Sequence, residues 1–234
     1  MTAEPTARPG AQVSPLSVVA DIVRMGEACI VEEFCIVGRH TARTSSGPSR
    51  PTVIGAGSTL HSHTVVYAGS TIGARFHTGH HVLVRENNII GDDVSIGSLS
   101  VVEHTVTIGN KVRIHSQTFI PEFTVLDEGA WIGPRVTVTN HPLPECPQPA
   151  GCMVGVHIGP YARIGANVTL LPGVRIGARA HRCRRGRDPR RPTRRGGGRE
   201  PRPDDQVHSR SALPRRPRPP TISTHRPTRV TRCQ

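Results

Sequence analysis

Residues 90–133 read IGDDVSIGSLSVVEHTVTIGNKVRIHSQTFIPEFTVLDEGAWIG, with an aliphatic side chain at every sixth position from Ile90 to Ile132. Extended to both sides, the series is Ile54, Leu60, Val66, Ile72, Thr78, Val84, Ile90, Ile96, Val102, Ile108, Ile114, Ile120, Leu126, Ile132 and Val138. Fourteen of these fifteen are Ile, Leu or Val, and only Thr78 departs. A period of six fits neither a helix nor an ordinary strand. It fits a short strand, a corner, and one branched residue per side pointing inward. Glycine often follows that residue, as in Ile72-Gly73, Ile90-Gly91 and Ile108-Gly109, where it would relieve a tight turn.

Three such sides close a coil of 18 residues, and coils stack at about 4.8 Å, the spacing of paired strands. The expected fold is all-β: a left-handed parallel β-helix, a triangular prism of hexapeptide repeats. A second in-phase set, Ile158, Ile164, Leu170 and Ile176, follows Val138 after 20 residues rather than 18, so residues 140–157 should leave the stack. Ile30 and Ile36 share the phase of Ile54, with a loop over 41–52 between them. The domain reading is a partly flexible lead-in over 1–24, the prism over 25–180 and a tail over 181–234.

Composition agrees with a prism. Aromatics are 3% of the 234 residues, while Gly (24) and Pro (22) are plentiful, which disfavours globin-like or doubly wound folds. The net charge of +13 suggests a polyanionic partner, but its placement weakens that inference. Residues 1–180 hold 13 Lys/Arg and 13 Asp/Glu; residues 181–234 hold 17 and four. The tail has no aromatic residue and little to bury, so it is expected to stay disordered. Without aromatic interleaving it would bind nucleic acid only through unspecific contacts, so nucleic acid is not an expected partner. The six cysteines form no zinc pattern, and Cys146 and Cys152 read as plain thiols. No signal peptide or membrane-length apolar run is visible, so no membrane insertion and a reducing cytoplasm are the expectations.

Stacking converts a spacing of 18 into adjacency. Glu86, His104, Glu122 and Asn140 then share one outward column, ending where the 140–157 excursion begins. A histidine between two carboxylates is a candidate general base of raised pKa, although a solvated corner would show the same residues. His61, Gly79, Gly97, His115 and Gly133 form a second column, where a ligand could approach His115 between glycines. His63, His81, Leu99, Gln117 and Arg135 form a third and read as solvent-facing. His141 opens the excursion and could reach a neighbouring subunit's cleft. A shared metal of the γ-carbonic anhydrase kind is excluded: His80 and His115 have the separation, but position 120 is Ile.

The hexad run over about 25–180 resembles the hexapeptide-repeat acyltransferases. Val84-Arg85-Glu86-Asn87-Asn88-Ile89-Ile90-Gly91-Asp92, Val101-Val102-Glu103-His104 and Ile114-His115-Ser116 look like acetyltransferases acting on nucleotide-linked amino sugars in surface-polysaccharide pathways. The resemblance implies a homotrimer with acetyl-CoA along the groove between prisms, no metal, and a sugar amine attacking the thioester. His104 then corresponds to the proposed base, with Glu86 and Glu122 as its catalytic neighbours. Asn87, Glu103, His115, Asn140 and His141 are the expected substrate and coenzyme contacts. An O-acetyltransferase of the same fold and an inactive trimeric scaffold are the alternatives.

Relatives also continue the hexads where this sequence turns basic, towards a G-N-P-A-[KR] ending. Ala180–Gln206, back-translated and read one base later, permits G-A-G-A-V-V-T-R-D-V-P-P and then G-N-P-A-R. The expectation is that 181–234 is an out-of-frame ending.

Overall fold

The computed structural model describes residues 10–40, 50–142 and 149–182. They belong to one compact unit, Met1–Arg187; a second unit, Asp188–Gln234, lies outside them. Of the disordered, out-of-frame tail expected over 181–234, residues 183–234 lie outside the described residues, while His181–Arg182 is a strand paired with Arg163–Ile164.

The backbone is the expected left-handed β-helix. Strands of two to four residues succeed one another, and each pairs in parallel with the strand one coil away. They form three faces, of nine, eight and eight strands. Register through the middle of the prism is 18: Leu83↔Val101, Val101↔Phe119, Ile90↔Ile108 and Ile96↔Ile114. Across 41–49 the register is 29, as in Val31↔Leu60, so 11 residues leave the stack there. Across the second excursion it is 32, as in Leu126↔Ile158, so 14 leave. Val154 donates its N–H to Asn140 O at 2.7 Å and closes the base of that excursion, which carries a short helix, Pro149–Cys152.

Each hexad places two residues inside. One is the aliphatic strand residue, and the other lies four positions on, at the corner: Ser58, Thr64, Ser70, Phe76, Val82, Asn88, Val94 and so forward. Thr78 sits in the core stack after all, fully buried, because its hydroxyl contacts Thr64 Oγ1 at 3.0 Å and accepts the His61 N–H at 3.0 Å.

Three expectations need correction. The prism begins earlier than residue 25, since Gln12–Val13, Val18–Val19 and Val23–Met25 already build a coil. Ile30 is exposed, and Val31 and Val37 point inward in place of Ile30 and Ile36. An excursion of 11 rather than 12 residues shifts the phase by one. The glycine after the inward residue, finally, has no left-handed turn to make. The positive φ falls two residues later, at Gly57, Asp93, Leu99 and their equivalents. Glycine is required at Gly55 because the next coil is too close: a methyl group there would lie 2.4 Å from Ala74 N and from Gly73 C.

Candidate active site

Residues 84–86, 102–104, 120–122 and 138–140 leave successive strands of one face at the same edge, and this brings the expected column together. Glu86 is 2% exposed, His104 and Glu122 are half-buried, and Asn140 is buried. His104 Nε2 lies 3.4 Å from Glu122 Oε1, and Asn140 Nδ2 donates to Glu122 Oε2 at 2.8 Å. Asn140 thus orients the carboxylate that faces the imidazole. His104 Nδ1 contacts the Thr105 hydroxyl at 3.0 Å.

The two carboxylates of the column are not equivalent. Arg85 lays a two-pronged hydrogen bond on Glu86, Nε to Oε2 and Nη2 to Oε1, each 3.1 Å. Its Nη1 reaches Glu103 Oε2, also 3.1 Å, and its guanidinium lies 5.9 Å from the Tyr67 ring centre. Burial alone would raise the Glu86 carboxyl. The backbone N–H of Glu86, the Arg85 guanidinium and the neighbouring His104 outweigh it and hold the group below its usual value. Glu86 therefore stays ionised and largely neutralised by Arg85. Asn88, 1% exposed, fixes this arrangement from inside: its Nδ2 donates to Arg85 O at 2.9 Å, and its Oδ1 accepts the Val106 N–H at 2.7 Å.

Asn87 is exposed at the left-handed corner (φ 59°) and its amide oxygen lies over Gly69. His141 follows Asn140, and its Nδ1 is shielded from solvent without a hydrogen bond among the described residues. His115 is not part of this cluster. It follows strand Arg113–Ile114 at a different edge of the prism and packs on Trp131, with ring centres 4.5 Å apart. It lines a cleft of about 250 Å³ with His77, Gly79, Gly97, Ser98 and Arg113. The glycines leave this edge open, as the column spacing suggested. Burial, with His61 nearby, lowers the His77 pKa, so that ring stays neutral in the cleft wall. His61 itself lies 2.7 Å from Glu32 and packs against His77 and His80.

Sequence reasoning missed Arg85, Asn88 and Thr105. Arg85 acts on its immediate neighbour and on Glu103 one coil away, and Glu103 was visible at the spacing of 18. Asn88 belongs to the corner core positions, a second period of six that the aliphatic series conceals. Cys152 is disulfide-bonded, to a partner outside the described residues, so it is no plain thiol; Cys29 and Cys35 are free and buried. Among the described residues no group of His, Cys, Asp and Glu could hold a metal ion, and no helix is long and apolar enough to cross a membrane.

Residues 89–122 match the family described as bacterial transferase hexapeptide (six repeats). The bifunctional protein GlmU of Streptococcus agalactiae is 36% identical over 85 residues, which is 36% of this chain and 17% of that protein. An uncharacterized acetyltransferase of Escherichia coli, YaiX, is 32% identical over 99 residues, which is 38% of this chain and 42% of that one. The chain thus spans less than half the length of either relative. The UDP-N-acetylglucosamine O-acyltransferase of Moraxella catarrhalis aligns over 70% of this chain and 66% of its own, with 16% identity and a TM-score of 0.36. The repeat and the prism make the chain a hexapeptide-repeat protein, similar over residues 89–122 to the bacterial transferase family. Of the two relatives, YaiX carries an acetyltransferase name, and GlmU is named as a bifunctional protein.

Proposed function

We propose that the chain transfers an acetyl group from acetyl-CoA to the amino group of a nucleotide-linked sugar, in surface-polysaccharide assembly. The observation that carries this reading is the His104 column. A half-buried imidazole is held between an oriented carboxylate, Glu122, and an ionised but neutralised one, Glu86. The acetyltransferase name of one relative supports the reaction class. The sugar amine attacks the thioester carbonyl and loses a proton towards His104. Glu122 stabilises the imidazolium, which then returns the proton to the departing CoA thiolate. Water exclusion and substrate positioning add to this by holding amine and thioester in contact.

The cleft of His77, Arg113 and His115 offers cationic and hydrogen-bonding groups to the phosphates or the thioester of the donor. It lies at another edge of the same chain than His104. A homotrimer, in which one prism's edge faces a neighbour's flank, would bring the two halves together, and we include that assembly in the proposal.

The test is thiol release from acetyl-CoA with UDP- and dTDP-linked amino sugars, alongside hydroxyl-only analogues as acceptors. Amine-dependent release that His104→Ala lowers by about 10²–10⁴-fold is the expected result. An unchanged rate in His104→Ala removes histidine from the base role, and release only with hydroxyl acceptors replaces N- by O-acetylation.

A further inference from the structure

Among the described residues, sixteen non-glycine residues occupy the left-handed corner conformation, and Thr105 is the single β-branched side chain of the sixteen. The others include Asn87, Asp93 and Asn167, which tolerate positive φ well, and the bulky Phe34, Leu99, Phe123 and Tyr161, which share the corner without a second γ-substituent on Cβ. A β-branched residue at φ 59° is an outlier, because its second γ-substituent crowds the backbone. Strain of this kind persists where something else selects for it, and it concentrates at functional sites.

The corner is also irregular in its hydrogen bonds. At many other corners the left-handed residue donates its N–H to the carbonyl 19 residues earlier, as Asp93 does to Ala74 (2.9 Å), Lys111 to Asp92 (2.8 Å) and Arg135 to Ser116 (3.0 Å). Thr105 keeps that partner, Glu86 O, at a stretched 3.3 Å. Phe123 departs from the pattern, donating to Thr105 O at 3.3 Å. The exposed Thr105 hydroxyl meanwhile contacts Nδ1 of His104, whose Nε2 faces Glu122.

We propose that Thr105 is a catalytic residue that relays the substrate proton to His104; this rests on the acetyl-transfer reading given above. Both imidazole nitrogens are engaged within the chain, Nε2 by Glu122 and Nδ1 by Thr105. The hydroxyl is the exposed member of that series and the point where an acceptor amine meets it. As the amine nitrogen bonds to the thioester carbon, its N–H proton passes to Thr105 Oγ1 while the threonine proton passes to Nδ1. The threonine is left unchanged and His104 becomes an imidazolium beside Glu122. Collapse of the tetrahedral intermediate breaks the C–S bond, and the CoA thiolate takes up the proton. Only a hydroxyl at this position completes the relay, which accounts for a strained threonine where asparagine or glycine would rest more comfortably.

The experiment compares Thr105→Ser, Thr105→Ala and Thr105→Asn with wild type and His104→Ala, for kcat, for KM of both substrates and for Tm. Expected are a serine variant within about threefold of wild-type kcat, and alanine and asparagine variants at least tenfold lower with KM for acetyl-CoA unchanged. The asparagine variant is expected to melt about 2–4 °C higher, since asparagine relieves the left-handed strain. Wild-type kcat in Thr105→Ala overturns the relay, and so does a serine variant as impaired as alanine. An asparagine variant that loses both activity and Tm shows a merely structural role and overturns it too. If Thr105→Ala retains activity that His104→Ala loses, only the relay falls; if neither substitution matters, the base assignment falls with it.

Discussion

Replacing Gly55 by alanine tests the packing logic of the prism, because its backbone φ does not require glycine while its surroundings do. The new methyl would stand 2.4 Å from Ala74 N, 2.4 Å from Gly73 C and 2.6 Å from Gly73 O, all backbone atoms of the next coil. Normal contact requires those atoms to retreat by about 1 Å. The Gly55 N–H to Ile72 O bond, now 2.9 Å, and the Gly73 N–H to Ile90 O bond, now 2.8 Å, lie directly in the path of that opening. Overpacking costs about 1–3 kcal/mol, and two weakened backbone hydrogen bonds add about 0.5–1.5 kcal/mol each. The sum is about 2–6 kcal/mol, or a fall in Tm on the order of 10 °C. Two glycines serve as controls. Gly57 has φ +68° and only Arg75 Cγ nearby, at 3.5 Å, so Gly57→Ala should lose about 1 kcal/mol from backbone strain alone. Gly177 occupies the same hexad position as Gly55, but nothing lies within 4 Å of its added methyl, so Gly177→Ala should be neutral or slightly stabilising. Thermal melts followed by circular dichroism give all three values. A Gly55→Ala protein that melts with Gly177→Ala refutes the argument that inter-coil approach, rather than turn geometry, selects these glycines.

Further outcomes concern polar groups. The Glu86 carboxyl is held below the usual glutamate value of 4.5, so its pairing stabilises the fold above about that pH and is lost as pH falls through the lower folded value. Acid titration of Glu86→Gln should show a flatter stability curve below pH 4.5 than wild type; an identical acid limb contradicts the assignment. Thr78→Val keeps the shape but deprives the His61 N–H of its acceptor and leaves the Thr64 hydroxyl only the Gly79 carbonyl, for a loss of about 1–3 kcal/mol in chemical denaturation. A valine variant as stable as wild type would mean that the aliphatic series wanted a hydrocarbon at 78 after all.

The period of six was legible because each strand has one inward position, and Ile, Leu or Val fills it almost without exception. The N-terminal phase was misread for an equally local reason. Ile30-Val31 and Ile36-Val37 are aliphatic pairs, either member of which could face inward, and only Val31↔Leu60 and Val37↔Val66 decide between them. The His104 column followed from the spacing of 18 once stacking was granted. Its energetics did not, because the Arg85 clamp depends on side-chain reach, and the conformation of Thr105 becomes visible only with the backbone. His115 was set apart by the same logic: the spacing placed it in a second, glycine-lined column away from His104, yet its packing on Trp131 became visible only with the structure.

Since each coil touches only the coils before and after it, the prism behaves as a one-dimensional array whose stability is a sum of coil and neighbour terms. Fraying can start at either end and travel inward one step at a time, without a single event that dissolves the whole. Residues 86–140 occupy interior steps of that array, with the coils of residues 12–72 on one side and those of 157–182 on the other. The candidate active site should therefore outlast the loss of a terminal coil, and local exchange of backbone amides should rise from the ends towards a protected middle.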